Sequence, residues 1–202
     1  MGYDKSFTVM DRLPGYTLSE LTYKRPEILE EHKIDIAFQL GMHTVFSYVF
    51  GVRDGYQTNY IYDPVSRLLT RIDKERFLEV PDSPRKTLED NDAYTQEIAS
   101  CELSNLKYVP SFRTGEERGV VVKALESGFM EKYREVKVKK QELLELVRQT
   151  RNTWFELNPR FDKSLYGSET EIIVGTVSYL IDQDALLVWK RLVKAKIEVD
   201  RK

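Results

Sequence analysis

Three oxygen-bearing side chains lie close together within residues 51–78, in a pattern that suits one kind of chemistry. Asp54 and Asn59 are separated by four residues in the run Gly51-Val52-Arg53-Asp54-Gly55-Tyr56-Gln57-Thr58-Asn59. Asp73 follows 14 positions beyond Asn59, in Arg71-Ile72-Asp73-Lys74-Glu75-Arg76-Phe77-Leu78. Phosphoryl transfer asks little covalent chemistry of a protein. It needs a carboxylate to orient and deprotonate the acceptor hydroxyl, and hard oxygen ligands to hold Mg²⁺ against the phosphates. An Asp and an Asn on one tight loop, with a second Asp brought alongside, supply that set. Taken singly, Asp-Gly and Asn are favoured in turns for backbone reasons alone. What gives them weight is their order and the elements that would bring them together.

Those elements are legible around the run. Lys33 to Gly51 is dense in apolar residues (Ile36, Phe38, Leu40, Val45, Phe46, Val49, Phe50), which predicts a largely buried helix ending at Gly51. His43 within it is expected to be a hydrogen-bonded core histidine. Tyr60 to Tyr62 and Leu68 to Ile72 are short strand candidates around Asp63-Pro64-Val65-Ser66, so a hairpin carries the chain from Asn59 back to Asp73. Upstream, Ser6 to Leu13 reads as a strand stopped by Pro14-Gly15, Thr17 to Tyr23 as a short helix, and Pro26 as the start of another.

Beyond Pro81 the pattern is helical. Ser83-Pro84 offers a helix start, and Glu116 to Val136 and Lys139 to Leu157 are amphipathic, the latter stopped by Asn158-Pro159. Ser168-Glu169-Thr170-Glu171 reads as a capping box opening a long final helix towards Ile197, with Asp182 and Asp184 marking a break or a solvated face. Trp154, Trp189 and the stripe Ile172, Ile173, Val177, Leu180, Ile181, Leu186, Leu187 and Val188 are expected in the core. The fold class is therefore α+β and mostly helical, in one domain over 1–202. Residues 1–16 form an opening strand, 33–80 the helix, loop and hairpin, and 83–202 a helical body.

Composition narrows the classes. A single cysteine, Cys101, excludes an intrachain disulfide framework and a Cys-based zinc site, and His32 and His43 are too few for a His-rich one. The net charge of -2 gives no global basic field, so no nucleic-acid partner is expected. The basic run Lys132, Arg134, Lys137, Lys139, Lys140 reads as a solvated helix start or connector. No apolar run approaches the roughly 18 residues of a membrane span and none resembles a signal peptide, so the cytoplasm is the expected compartment.

Arg53-Asp54-x4-Asn59 resembles the Arg-Asp-x4-Asn of the protein-kinase catalytic loop, with Val52 in place of the usual histidine. The wider block, Tyr48 to Asp54 and then Ile72 to Leu78, is more similar to the phosphatidylinositol 3-/4-kinase branch. There a Tyr-Val-Leu-Gly-like helix end precedes the catalytic Asp, and an Ile-Asp-Phe-Gly-His-Phe-like segment carries the metal-binding Asp. Phe7 to Gly15, followed by Leu18, is similar to the hinge of aminoglycoside-phosphotransferase-like kinases, where a strand leads to an acidic residue and then Pro-Gly-x-x-Leu. The resemblance implies a protein-kinase-like C-lobe whose small hairpin carries the catalytic and metal loops. It makes Asp54 the catalytic base, with Arg53 beside it pairing to a carboxylate or carbonyl near the loop. Asn59 and Asp73 become Mg²⁺ ligands, and Met10, Asp11 and Arg12 offer backbone groups to the adenine of ATP.

The chain departs from the family in three places. No glycine-rich phosphate loop or Val-Ala-Ile-Lys-like strand precedes the hinge, Lys74-Glu75 replaces the Phe-Gly after the metal Asp, and Tyr56 stands where lipid kinases have histidine. The expectation is a lobe that works with an N-lobe from another chain or another part of the natural protein. The alternative is a non-catalytic interaction or dimerisation module on the same scaffold, docking through an apolar patch of Phe7, Val9 and Met10 beside the hinge.

Overall fold

The computed structural model describes residues 13–52, 55–72, 78, 91–103, 115–157 and 163–200. Leu13 is the one residue of the expected opening strand among them, and the candidates Phe7, Val9 and Met10 lie outside. The described chain begins with a two-residue strand, β1 (Tyr16–Thr17). Thr17 also caps the next helix, α1 (Leu18–Lys24), by a reciprocal pair of bonds. Its Oγ1 accepts from the Glu20 N–H at 3.1 Å while the Glu20 carboxylate accepts from the Thr17 N–H at 3.0 Å.

Pro26 occupies the first turn of α2 (Pro26–Phe50), where its missing N–H costs nothing. The helix therefore starts well before Lys33, the expected boundary, and Leu29 and His32 are already buried. It ends as expected at Gly51, left-handed at φ 62°, whose N–H returns to the Ser47 carbonyl. A 3₁₀ turn (Gln57–Asn59) leads into β2 (Tyr60–Asp63), which pairs antiparallel with β3 (Leu68–Arg71) and, on its other edge, with β1. The hairpin turn is closed by Asp63, whose carboxylate accepts from the Val65 N–H at 3.0 Å and the Ser66 hydroxyl at 2.7 Å. These donors hold the Asp63 carboxyl below its usual range.

The body is built from α3 (Asn91–Glu102), α4 (Gly115–Val138), α5 (Lys140–Leu157), α6 (Lys163–Asp182) and α7 (Ala185–Asp200). The molecule is thus α+β and mostly helical, with a three-stranded antiparallel sheet. The long final helix expected from Ser168 is instead two helices. The Ser168 to Glu171 box lies inside α6, and Thr170 is buried there. The chain bends by 97° between Asp182 and Ala185, and Asp184 accepts from the Leu187 N–H at 2.8 Å, an N-cap bond for α7. The apolar stripe splits accordingly. Val177, Leu180, Ile181, Val188 and Trp189 are core, whereas Ile172, Leu186, Leu187 and Trp154 are 40–45% exposed. Four consecutive apolar residues, Leu186 to Trp189, span most of a helical turn, so they cannot all face inward. No single helix among the described residues is long and apolar enough to cross a membrane.

The basic run joins α4 to α5, and three of its lysines have carboxylate partners, while Lys137 lies over the Tyr133 ring. Lys132 and Lys139 reach Glu135 at 2.8 and 3.1 Å, and Lys140 reaches Asp182 at 2.6 Å.

Helix α2 is the spine. Its central stretch runs along α4 so closely that neither helix can carry a side chain at the crossing. A Cβ at Gly41 would stand 2.0 Å from the Leu125 carbonyl oxygen, and one at Gly128 would stand 1.8 Å from that of Phe38. Both obstacles are backbone and cannot rotate away. Around this contact Ile36, Leu40, Val45, Leu125 and Phe129 are buried, and α3 and α7 close the far side through Tyr94, Ile98, Val188 and Leu192.

Gly128→Ala is therefore expected to destabilise the fold by about 3 kcal/mol or more, because the helices must separate to admit the methyl group. Gly119→Ala, on the same helix with no atom within 4 Å of the new Cβ, should stabilise it by about 0.5–1 kcal/mol. Urea unfolding of the two variants beside the wild type checks both signs.

Candidate functional site

Helix α2, the 3₁₀ turn and the hairpin appear in the order the motif requires, and backbone hydrogen bonds close them on one another. The Asn59 N–H donates to the Tyr56 carbonyl at 2.8 Å, and the Asn59 carbonyl accepts from the Ile72 N–H at 2.8 Å. Asn59 thus sits against the residue that directly precedes Asp73. Further along, the Leu78 N–H donates to the Phe50 carbonyl at 2.9 Å, so the segment after Asp73 returns to the end of α2. Val52 and Gly55, the neighbours of Arg53 and Asp54, are both buried. Arg53, Asp54, Asp73, Met10, Asp11 and Arg12 lie outside the described residues, as do Lys74 and Glu75. Of the candidate site residues, Asn59 is the one whose place is given. It is half-buried at the end of the 3₁₀ turn, with its side-chain oxygen accepting from Thr58 Oγ1 at 3.3 Å.

Beneath this loop is a buried polar cluster that inspection of the motifs did not anticipate. Arg71 and Glu102 pair at 2.9 Å with side chains 1% and 0% exposed. Ser47, one turn before the end of α2, accepts from Arg71 Nη1 at 2.6 Å and donates to Glu102 Oε1 at 2.7 Å. The Tyr60 hydroxyl donates to the other carboxylate oxygen, and the guanidinium lies over the Tyr60 ring, 5.5 Å from its centroid. Glu102 therefore has donors on both oxygens, whereas Arg71 Nε and Nη2 have no hydrogen-bond partner among the described residues. Burial pushes the Glu102 carboxyl above its ordinary 4.5, against the pull of the Arg71 charge and the Tyr60 and Ser47 hydroxyls.

One half of this cluster had a signal in the sequence. In a strand with alternating faces, Arg71 shares the inward side with Leu69, and a cation at an inward position demands a partner. Glu102 had none, because it is 31 residues away at the end of a helix that no motif announced. His43 is hydrogen-bonded as expected, its Nε2 to the Leu69 carbonyl at 3.0 Å, but it is half-buried rather than in the core.

The Mg²⁺ ligands expected from the sequence are Asn59 and Asp73, and Asp73 lies outside the described residues. Among the described residues no group of three or more His, Cys, Asp or Glu side chains is drawn together. No family model, no curated protein and no solved structure matches the chain.

The buried pair yields a pH prediction. Arg71→Met removes the positive charge that holds Glu102 down, so the carboxyl titrates still higher in the folded state. A carboxyl whose pKa is raised on folding stabilises the fold below its unfolded pKa and loses that contribution as pH rises through the folded one. Arg71→Met is expected to cost about 3–5 kcal/mol near neutrality. The penalty should shrink as the pH falls and Glu102 takes up a proton. Denaturant titrations at several pH values check both.

Proposed function

We propose that this chain is a kinase-like phosphotransferase lobe that binds Mg²⁺-ATP and transfers a phosphoryl group to a hydroxyl acceptor. It does so with an N-lobe contributed by another chain or by another part of the natural protein. The observation that carries the reading is the Ile72 N–H to Asn59 carbonyl bond. It brings together two segments of the motif that lie 14 residues apart from Asn59 to Asp73, as one metal ion shared by their side chains requires.

In this reading Asp54 orients the acceptor hydroxyl and takes its proton, and Arg53 steadies the loop beside it. Asn59 and Asp73 hold the ion, and the backbone of Met10 to Arg12 lies along the adenine. An ion held there would supply charge neutralisation for the phosphates. The protein's share is positional: a rigid helix end before Asp54 and a short hairpin between the two ligands. The departure at Lys74-Glu75 bears on how the segment after Asp73 moves, since the family's glycine is absent there.

Calorimetric titration of ATP into the 202-residue chain, with and without Mg²⁺, tests this directly. Binding is expected to require Mg²⁺ and to weaken at least about tenfold in Asp73→Ala, a loss of about 1.4 kcal/mol. Nucleotide binding that ignores both Mg²⁺ and Asp73 counts against a working phosphotransferase lobe. No binding to the isolated chain fits either a lobe that needs its N-lobe or the same scaffold used as a docking or dimerisation module, and repeating the titration with candidate partner chains separates the two.

A further inference from the structure

The Glu102 carboxylate touches the chain beside each of the three predicted site residues. Tyr60, which donates to its Oε2, directly follows Asn59. Arg71, which pairs with its Oε1, lies two positions before Asp73. Gly55, which directly follows Asp54, passes so close that a Cβ there would stand 2.4 Å from Glu102 Oε1 and 3.1 Å from the Cys101 carbonyl oxygen. The Gly55 backbone also hydrogen-bonds the Cys101 thiol. Ser47, which donates to Oε1, belongs to the last turn of the helix that delivers the loop.

We propose that Glu102, with Arg71, is the positioning residue of this site. It is one buried carboxylate at the end of α3 that sets the relative places of Gly55, Tyr60 and Arg71, the described residues nearest in sequence to Asp54, Asn59 and Asp73. The assignment rests on the functional reading above for what those segments do, but not for its geometry. The hairpin has its own ladder and Asn59 its own bond to Ile72, yet neither ties the 51–55 segment to the strands. Among the described residues Glu102 is what meets all three. Its conjugate, Arg71, is fixed by the Tyr60 ring and Ser47, so the carboxylate cannot move without displacing the strand that leads to Asp73. The glycine at position 55 follows from the same packing, since any side chain there would force the carboxylate aside.

Two variants test this by amide hydrogen exchange without nucleotide. Arg71→Met with Glu102→Leu replaces the pair by apolar side chains, an exchange that buried ion pairs often tolerate. Gly55→Ala leaves the pair intact but drives a methyl group into it. Both are expected to speed exchange of the Gly55 to Asn59 and Ile72 amides by at least about tenfold, while the α2–α4 crossing changes by less than about twofold. Unchanged protection of the loop in both variants overturns the proposal, as does equal acceleration in the loop and at the crossing, which would mark a merely structural pair. If the wild type binds Mg²⁺-ATP neither alone nor with candidate partner chains but the loop loosens selectively, the functional reading falls and the positioning role stands. If Mg²⁺-ATP binds and the loop does not loosen, the reverse holds.

Discussion

Helix α2 lies where it does because two glycines let its backbone touch that of α4. At Gly41 and Gly128 even a methyl group would overlap a carbonyl oxygen of the opposite helix, so the crossing admits no other residue without moving apart. Much follows from that closeness. Side chains flanking the crossing, Ala37, Leu40, Val45, Leu125 and Phe129, are all buried. The far end of α2 is carried to a fixed point, where Gly51 turns the chain and Ser47 faces the interior. The hairpin lies along α2, with Arg71 at Ser47, Leu69 at His43 and Gln39, and Tyr62 at His32. A rigid spine of this kind holds a loop more precisely than loop chemistry alone can.

The second constraint is electrostatic and costly. Removing a guanidinium and a carboxylate from water costs several kcal/mol per ion, and a well-packed apolar pair would often be at least as stable. The arrangement at Arg71 and Glu102 recovers much of that cost through Ser47 and Tyr60, yet leaves two guanidinium nitrogens without partners among the described residues. Its gain is geometric. A hydrophobic pair could slide, whereas a carboxylate with a donor on each oxygen fixes strand, helix end and loop in one arrangement. The cluster sits under the segment whose residue types suggested phosphoryl transfer, where backbone bonds at Asn59 and Leu78 also converge. Stability and placement are therefore traded at the same spot, as expected where a site must be held in register.

Much of the fold was legible because its signals were local. The apolar density of α2, the glycine that ends it, the Asp63 turn and the two strands each depend on neighbouring residues, and each lies close to where the sequence placed it. Pro26 does open a helix as read, but that helix and the apolar one expected from Lys33 are a single α2, because no breaker lies between them. The final helix was misjudged because the Ser168 box is a local pattern overridden by the longer α6, while the Asp184 cap that divides it was only half read. The Arg71–Glu102 pair was hidden for a different reason. It joins a strand to the last turn of a helix 31 residues later, and that proximity is created only by the packing of α3 against α2. The same long-range packing pairs the Gly41 and Gly128 backbones, which no local spacing announces. Convergence of the Asn59 and Ile72 segments, by contrast, was implied by the hairpin itself.

The central claim is that one divalent ion is shared by the Asn59 and Asp73 segments. The most direct measurement is paramagnetic broadening of backbone amide resonances on adding Mn²⁺, an ion that accepts the same oxygen ligands as Mg²⁺, with ATP present. The account predicts that the amides of Asn59, Tyr60, Ile72 and Asp73 broaden first and together, and that excess Mg²⁺ restores them. Broadening centred instead on the exposed carboxylates of α6, or spread evenly over the acidic surface, would contradict it.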